Sequence, residues 1–343
     1  SRDGAADDRA PAGDVHGLGS GEAARPSSHG VLSCRRAAER RVGHGSLGRV
    51  GVIIAAAAVF FVLVPGSYLV LSIEGVRRSA RSLVSALPAI ARLLAGPALL
   101  LFIVVAYAAS SGLAVVPRLV AYAPYLLIPP LLLARPPRAS DATQQAPLRE
   151  LAIVFALWLP IEFRILPPLP LPAPDGAHIQ KLVGLVEAMY LFLVVRPLPE
   201  IGYTYRLTAR DVVTAVIVFL VYAVLALPIG LATGFIAWRP ELDATHLIGQ
   251  PLIIYLAIAV PEEFLFRGLL QNLLTRWLGA RFGLVIASII FGLAHLPDAR
   301  YVLLAAIAGV AYGLVYARTQ RVTASAITHA LVDASWGAFL RAT

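Results

Sequence analysis

The chain has 343 residues, of which 58% are hydrophobic and 14% are charged. A soluble domain carries about 25% charged residues, so this composition excludes an ordinary soluble protein and indicates an all-α membrane protein. The formal net charge is +9. The arginines that supply it lie between apolar runs, which is typical of anchoring to anionic lipid headgroups. We therefore expect membrane lipids as partners and no binding of nucleic acid.

Three regions follow one another along the chain. Residues 1–48 are rich in Gly, Ala, Arg and Asp, and they are predicted to form a disordered tail because they cannot bury enough apolar surface. Residues 49–200 are predicted to form transmembrane helices to which no motif assigns a role. Residues 201–343 contain every chemically informative motif, and they begin with a polar segment in which Thr208 and Asp211 predict a helix cap.

Continuous apolar runs predict a transmembrane bundle of about eight crossings, since a helix needs about 20 residues to span a bilayer. Shorter runs are predicted to be tilted or partial. The amino-acid usage is heavy in Ala, Arg, Gly and Pro, which favours a multi-pass protein of the bacterial plasma membrane. The runs are 50–73, 93–116, 119–134, 148–163, 179–195, 212–236, 247–274, 282–296, 301–317 and 322–340.

One apolar run contains three ionisable residues within the stretch PEEFLFRG. Glu263 and Arg267 are four residues apart with the glutamate first, which is the spacing of an ion pair on a helix. Glu262 points about 100° away and is predicted to lack this cation, so it is the carboxylate available as an acid or base. Pro261 predicts a kink or a fresh helix start, and a broken helix at membrane depth would leave room for water or substrate.

Two later helices repeat the same spacing. Phe291 and His295 lie four residues apart in FGLAHLPD, and His329 and Asp333 do so in ITHALVDASW. Each pair therefore lies on one stripe of an otherwise apolar helix. Ionisable groups within a membrane are costly unless they satisfy one another. We therefore predict that these stripes converge with the two glutamates on one polar cavity embedded in the bundle.

Other polar or small residues in the apolar runs are predicted to serve structure. Glu162 and Glu187 are isolated intramembrane carboxylates, and we assign them structural or interfacial roles. Gly309 and Gly313 form a GxxxG pattern that is predicted to seat a close helix contact inside the bundle rather than a dimer. No feature of the sequence predicts the oligomeric state.

Carboxylate and imidazole groups together support three kinds of function. Glu262 and His295 could activate water for amide hydrolysis, with His329 and Asp333 at the oxyanion. The same residue types also suit a divalent metal such as zinc, although the spacing differs from H-E-x-x-H. A chain of titratable groups could instead relay protons in a transporter.

The ordered set of motifs resembles the CPBP family of intramembrane proteases, which includes type II CAAX prenyl endopeptidases and bacteriocin-processing and immunity proteins. The likeness extends over roughly residues 200–340, and the order of the motifs on consecutive helices makes it specific. The motifs are EExxxR with a following glycine (Glu262, Glu263, Arg267, Gly268), FxxxH (Phe291, His295) and HxxxD (His329, Asp333).

This resemblance implies a membrane-embedded endopeptidase that acts on a membrane-associated peptide or protein. It implies that Glu262 and His295 activate the attacking water and that Glu263 and Arg267 orient and support them. Both glutamate-type and metal-dependent mechanisms have been argued for the family. We expect the glutamate type with no cofactor, and zinc remains the alternative.

The resemblance places His329 and Asp333 on the oxyanion side of the site. Many members of the family have Asn where this chain has Asp333, and an ionised carboxylate cannot donate a hydrogen bond to an oxyanion. We therefore expect Asp333 to fix His329 as a charged donor. The alternatives to an endopeptidase are a proton-coupled transporter and a non-catalytic membrane scaffold or immunity protein.

Overall fold

The computed structural model describes a predominantly helical protein. The predicted all-α class holds for the described residues, apart from one two-stranded antiparallel ribbon. These residues belong to the compact unit Val52–Thr343, and the predicted disordered tail, residues 1–48, lies outside them. The described residues are 60, 62–134, 147–169, 179–240 and 249–342.

The helices before residue 200 begin with a helical stretch over residues 62–70. The five that follow are labelled α1 to α5, and a π-helical stretch, Tyr190–Val195, continues α5 directly. They are α1 (Glu74–Ser85), α2 (Ala89–Ser110), α3 (Val115–Leu131), α4 (Leu148–Glu162) and α5 (Ile179–Met189).

The helices after residue 200 carry all the predicted motifs. A short ribbon joins the end of α6 to the end of α10, with Ile236 opposite Ala342 and Trp238 opposite Leu340. The elements are α6 (Ala209–Ala232), β1 (Ile236–Trp238), α7 (residues 250–278), α8 (Ala280–Leu293), α9 (Ala299–Thr319), α10 (Val322–Phe339) and β2 (Leu340–Ala342).

Helix α7 carries the glutamate motif and continues through Pro261, so the proline does not end the helix, and the kink predicted there stays a prediction. The helix runs on through the proline because its hydrogen bonding alternates between α and π turns. Pro261 follows a π-helical turn, whose wider ring accommodates the pyrrolidine group that would crowd an α turn. The segments are Gln250–Ile254 (α), Tyr255–Ala259 (π), Val260–Glu263 (α), Phe264–Gln271 (π) and Asn272–Leu278 (α).

The motif-bearing helices pack closely through small residues. A Cβ atom added at Gly309 of α9 would lie 3.0 Å from Ser288 Cα on α8. At Gly313 it would lie 2.7 Å from Gln271 Oε1 on α7. The predicted role of this GxxxG pattern in internal helix contact is therefore confirmed. Side chains on α7, α8 and α9 can approach one another because glycine brings these backbones together.

The segment between α5 and α6 is tied to the junction of α9 and α10. The Tyr316 hydroxyl donates to the Glu200 carbonyl at 2.6 Å, and the Thr323 hydroxyl donates to the Thr204 carbonyl at 2.5 Å. The predicted cap at the start of α6 is confirmed, since Thr208 and Asp211 form a reciprocal capping box. One hydrophobic core includes residues from both sides of position 200, and the division at this position stays a prediction.

Three of the described helices are long and apolar enough to cross a membrane. They are α2, α6 and α9, with 22, 24 and 21 residues. Helices α3 and α8 are apolar but shorter. The count of about eight crossings therefore stays a prediction.

The first testable consequence concerns Glu187, which is fully buried in α5. Within the described part of the chain, neither of its carboxyl oxygens has a hydrogen-bond partner. Burying an unpartnered polar group costs about 1–3 kcal/mol, so Glu187→Met is expected to raise the unfolding temperature in detergent. Glu150→Met is the matched control. It should lower that temperature because Glu150 pairs with Arg196 at 3.1 Å. A lower unfolding temperature in both variants would contradict the account that the unpartnered carboxyl group of Glu187 destabilises the protein.

A second testable consequence concerns the start of α9. There Asp298 accepts a hydrogen bond from the Arg300 backbone N–H at 2.8 Å. Hydrogen bonding to Arg300 lowers the pKa of Asp298 from its ordinary value of 3.8 to about 2. The stabilisation is therefore complete above pH 3.8 and is lost as the pH falls through about 2. Asp298→Ala should lower the unfolding temperature at pH 6, and the difference from the unmodified chain should shrink below pH 4. Asp298→Asn should retain most of the cap, and a pH-independent difference would contradict this account.

Candidate active site

Glu263 is the most heavily bonded carboxylate of the predicted site and is fully buried. Arg267 Nε donates to its Oε2 at 2.9 Å, and the Ser325 hydroxyl donates to the same oxygen at 2.5 Å. His329 Nδ1 donates to Oε1 at 3.0 Å. The predicted Glu263–Arg267 ion pair is therefore confirmed. Both oxygens are engaged, so this carboxylate joins α7 to α10 and is not exposed to a reactant.

Arg267 is also fully buried, and its guanidinium lies beside two aromatic rings. Its Cζ atom is 5.2 Å from the centroid of Phe291 and 5.7 Å from that of Tyr312. Its two terminal nitrogens have no hydrogen-bond partner among the described residues. Cation–π attraction therefore supplements the ion pair. Phe291, the first residue of the second motif, thus contacts the first motif as well as His295.

Glu262 lies in a different environment from its neighbour, with 19% of its side chain exposed. Lys181 Nζ on α5 donates to Glu262 Oε1 at 2.8 Å. Arg267 pairs with Glu263 as predicted, and a residue 81 positions before Glu262 supplies this second carboxylate with a cation of its own. Glu262 Oε2 is 3.8 Å from His329 Nε2, which is beyond direct hydrogen bonding but suits a bridging water.

His329 is held by two aromatic rings and by polar groups near both ring nitrogens. Its ring stacks on Tyr312 with 4.6 Å between centroids and 14° between planes, and it meets the edge of Phe291. Because Nδ1 donates to Glu263, Nε2 is the nitrogen that faces Glu262 and Asp333. Asp333 Oδ2 lies 3.5 Å from Nε2, so the two residues of the third motif do share one stripe of α10.

His295 follows the end of α8 and lies opposite this group. Its Nδ1 is 2.9 Å from the Phe291 carbonyl oxygen. A carbonyl only accepts hydrogen bonds, so Nδ1 carries a proton and a neutral ring has its lone pair on Nε2. Tyr301 on α9 packs edge-on against the ring at 4.5 Å. These contacts hold the ring in place and leave Nε2 as the nitrogen that can accept a hydrogen bond.

A cavity of about 320 Å³ connects these groups. Four of the six predicted site residues line it: Glu262, His295, His329 and Asp333. Glu263 and Arg267 lie behind it, with none of their side-chain surface exposed. The walls combine carboxylate, imidazole and ammonium groups with apolar surface from α4, α5 and α7. This arrangement can hold water next to a carboxylate while it accommodates an apolar chain.

Several residues in and around this cavity were not predicted from the sequence as part of the site. Lys181, Glu162 and Tyr301 line it, and Ser325 and Tyr312 support it from behind. Glu162 accepts a hydrogen bond from the Trp158 indole at 3.1 Å, so its predicted isolation is wrong. The one available signal was Lys181, which begins an apolar run in a chain whose other basic residues are arginines.

The described residues contain no cluster of three or more His, Cys, Asp or Glu side chains arranged to hold a metal ion. Nδ1 of His295 contacts the Phe291 carbonyl and Nδ1 of His329 contacts Glu263, which leaves the two Nε2 atoms for other partners. Glu262 Oε1 is bonded to an ammonium group, which repels a second cation. The metal-free, glutamate-type mechanism stays a prediction.

A prediction follows from the buried Glu263–Arg267 pair. Arg267→Met leaves a buried carboxylate without its main cation, and breaking such a pair costs about 3–5 kcal/mol. We expect a large drop in the unfolding temperature in detergent. The double variant Glu263→Gln/Arg267→Met removes both charges and should unfold at a higher temperature than Arg267→Met. Equal unfolding temperatures for the unmodified chain and Arg267→Met would contradict the role of the pair.

One comparison with known proteins identifies a family. Residues 244–335 match the family model described as Type II CAAX prenyl endopeptidase Rce1-like. Neither a curated protein nor a solved structure is significantly similar to the chain. Together with the three apolar helices, the family match indicates an integral membrane protein with a protease region. The predicted resemblance is confirmed over residues 244–335, which are similar to the Rce1-like family of type II CAAX prenyl endopeptidases.

Proposed function

We propose that this chain is an intramembrane endopeptidase in which Glu262 activates water to hydrolyse a peptide bond. The observation that supports this most strongly is the contrast between two adjacent glutamates. Glu263 has both oxygens bonded in a sealed environment. Glu262 has one oxygen held by Lys181 and the other directed toward His329 at the cavity. A general base needs this second kind of environment.

Water activation requires a proton acceptor close to the attacking oxygen. Glu262 Oε2 takes the proton as the water oxygen attacks the carbonyl carbon. His295 Nε2 helps to orient the water, because its ring is fixed through Nδ1 and the Phe291 carbonyl. Two acceptors from different helices define one position for the nucleophile, which lowers the entropic part of the barrier.

The oxyanion that forms on the substrate is stabilised by His329. A ring that donates from Nδ1 to Glu263 and from Nε2 toward Asp333 carries a positive charge. Nε2 then turns its proton to the oxyanion, and preorganised donors of this kind are worth about 3 kcal/mol. Asp333 acts on the ring and not on the substrate, in keeping with its being a carboxylate.

The reaction closes when the tetrahedral intermediate loses its amine. The proton taken up by Glu262 passes to the leaving nitrogen, the C–N bond breaks, and the water oxygen remains in the new carboxyl group. Glu263, Arg267 and Ser325 hold His329 in position throughout. The proposed mechanism uses no metal or other cofactor, which the ammonium beside Glu262 supports.

The substrate is proposed to be a membrane-associated peptide or protein. The cavity joins apolar wall residues such as Leu157, Trp158 and Phe266 to the polar group, so it suits a chain that arrives from lipid. The matching family is named for prenylated CAAX proteins. We propose a multi-pass enzyme of the bacterial plasma membrane, where an unprenylated peptide is the more natural substrate.

The test uses the purified full chain in phosphatidylcholine–phosphatidylglycerol vesicles. The reporter is an internally quenched peptide ending in a CaaX sequence, in farnesylated and unmodified but membrane-tethered forms. Glu262→Gln keeps the shape of the side chain but removes the base, and should lower kcat by about 10²–10⁴-fold. Glu162→Gln is the control, because it changes a carboxylate in the same cavity that has no contact with Glu262 in the structure.

The outcome separates the proposal from its alternatives. Cleavage by the unmodified chain and by Glu162→Gln, with loss in Glu262→Gln, supports the proposal. Full activity in Glu262→Gln would exclude Glu262 as the base. Absence of cleavage of both reporters by the unmodified chain would favour a non-catalytic scaffold, and proton flux under those conditions would favour a transporter.

A further inference from the structure

Lys181 contributes a charged group to the proposed site from outside the region that matches the family. It lies near the start of α5, whereas the match begins at residue 244. It is the lone lysine among 29 basic residues. Its Nζ atom is 2.8 Å from Glu262 Oε1, with 34% of the lysine side chain exposed. The proposed base therefore has a cationic partner that the motifs did not reveal.

The surroundings of Lys181 indicate a specific contact with Glu262 rather than a general effect of a nearby positive charge. It lies between the cavity of about 320 Å³ and an adjoining cavity of about 530 Å³, and it lines both. Glu162 and Asp333 also border these spaces, yet Glu262 is the carboxylate that the ammonium contacts directly. Arg164 lines only the larger cavity. Lys181 and Arg164 both place a positive charge near these cavities, and of the two it is Lys181 that contacts Glu262.

We propose that Lys181 is a positioning residue for Glu262. It binds Oε1 and thereby directs Oε2 toward the cavity and His329 Nε2, 3.8 Å away. It also stabilises the ionised carboxylate, which is the form that accepts a proton from water. This inference rests on the proposed function of Glu262 as the general base.

The chemistry of lysine suits this role better than that of arginine. An ammonium group is a compact charge that can bind one carboxylate oxygen and leave the other available. A guanidinium group presents a planar fork that commonly binds both oxygens together. The proposed base needs one free oxygen, and this chain places its one lysine there. The sealed carboxylate of Glu263 differs, because Arg267 binds its Oε2 through Nε and His329 occupies its Oε1.

The experiment compares Lys181→Ala with the unmodified chain on the quenched CaaX peptides in vesicles. Truncation should lower kcat by about 10–100-fold, with KM changed less than about threefold, because the residue acts in the chemical step. Added n-propylamine replaces the three methylenes and the ammonium that the truncation removes. It should restore kcat in a concentration-dependent way. n-Propanol has nearly the same shape without the charge and should restore none.

Two further variants separate positioning from general effects. Arg164→Ala removes a cation from the adjoining cavity without touching Glu262, and it should keep the kcat of the unmodified chain. Lys181→Gln tests a neutral side chain of similar length, and it should lose kcat while its unfolding temperature in detergent stays within a few degrees of the unmodified chain. Equal loss in Arg164→Ala would show a general charge effect and overturn the proposal.

The remaining outcomes also decide the question. An unchanged kcat in Lys181→Ala, or equal rescue by n-propanol, would overturn the positioning role while the proposed hydrolase stands. If the unmodified chain cleaves neither peptide, the proposed function fails, and the role of Lys181 fails with it. Loss of kcat with rescue by n-propylamine alone supports both.

Discussion

The site depends on the buried carboxylate of Glu263, which joins two helices through three hydrogen bonds. Arg267 comes from the same helix, one turn on, whereas Ser325 and His329 come from α10. A buried carboxylate is costly unless it is paired and bonded. Here it is satisfied only when α7 and α10 meet in one register. That register holds the ring of His329 in place. Both this ring and Asp333 line the cavity.

Glu262 is adjacent to Glu263 and has the same type of side chain, but it has a different environment and a different proposed role. Glu262 turns about 100° away from Glu263 on α7 and reaches the cavity, where a lysine from α5 binds one of its oxygens. The same helix thus presents a sealed structural carboxylate and an accessible one. Two titratable groups in contrasting environments are the pattern from which acid–base assignments are made. The N-terminal helices, which carry no motif, complete this contrast by supplying Lys181.

The sequence predicted those features that depend on spacing along one helix. The Glu263–Arg267 pair and the His329–Asp333 stripe follow from helical periodicity, and the cap at Thr208 follows from a local residue pattern. The GxxxG pattern predicted a close helix contact at Gly309 but did not identify its partner on α8. The pairing of Lys181 with Glu262 and of Ser325 with Glu263 depends on tertiary packing, which one sequence does not reveal. The sequence did not predict that α7 continues through Pro261, because composition does not indicate π turns. These turns accommodate the proline, which usually breaks a helix.

The central claim is that Glu262, His295 and His329 act together on one peptide bond. The most direct measurement is an experimental structure of the Glu262→Gln variant with an uncleaved CaaX peptide bound in a lipid nanodisc. The scissile carbonyl carbon should lie about 3–3.5 Å from a water held between residue 262 and His295 Nε2, with its oxygen toward His329. A peptide bound away from this cavity, or with its carbonyl oxygen turned from His329, would contradict the proposed mechanism.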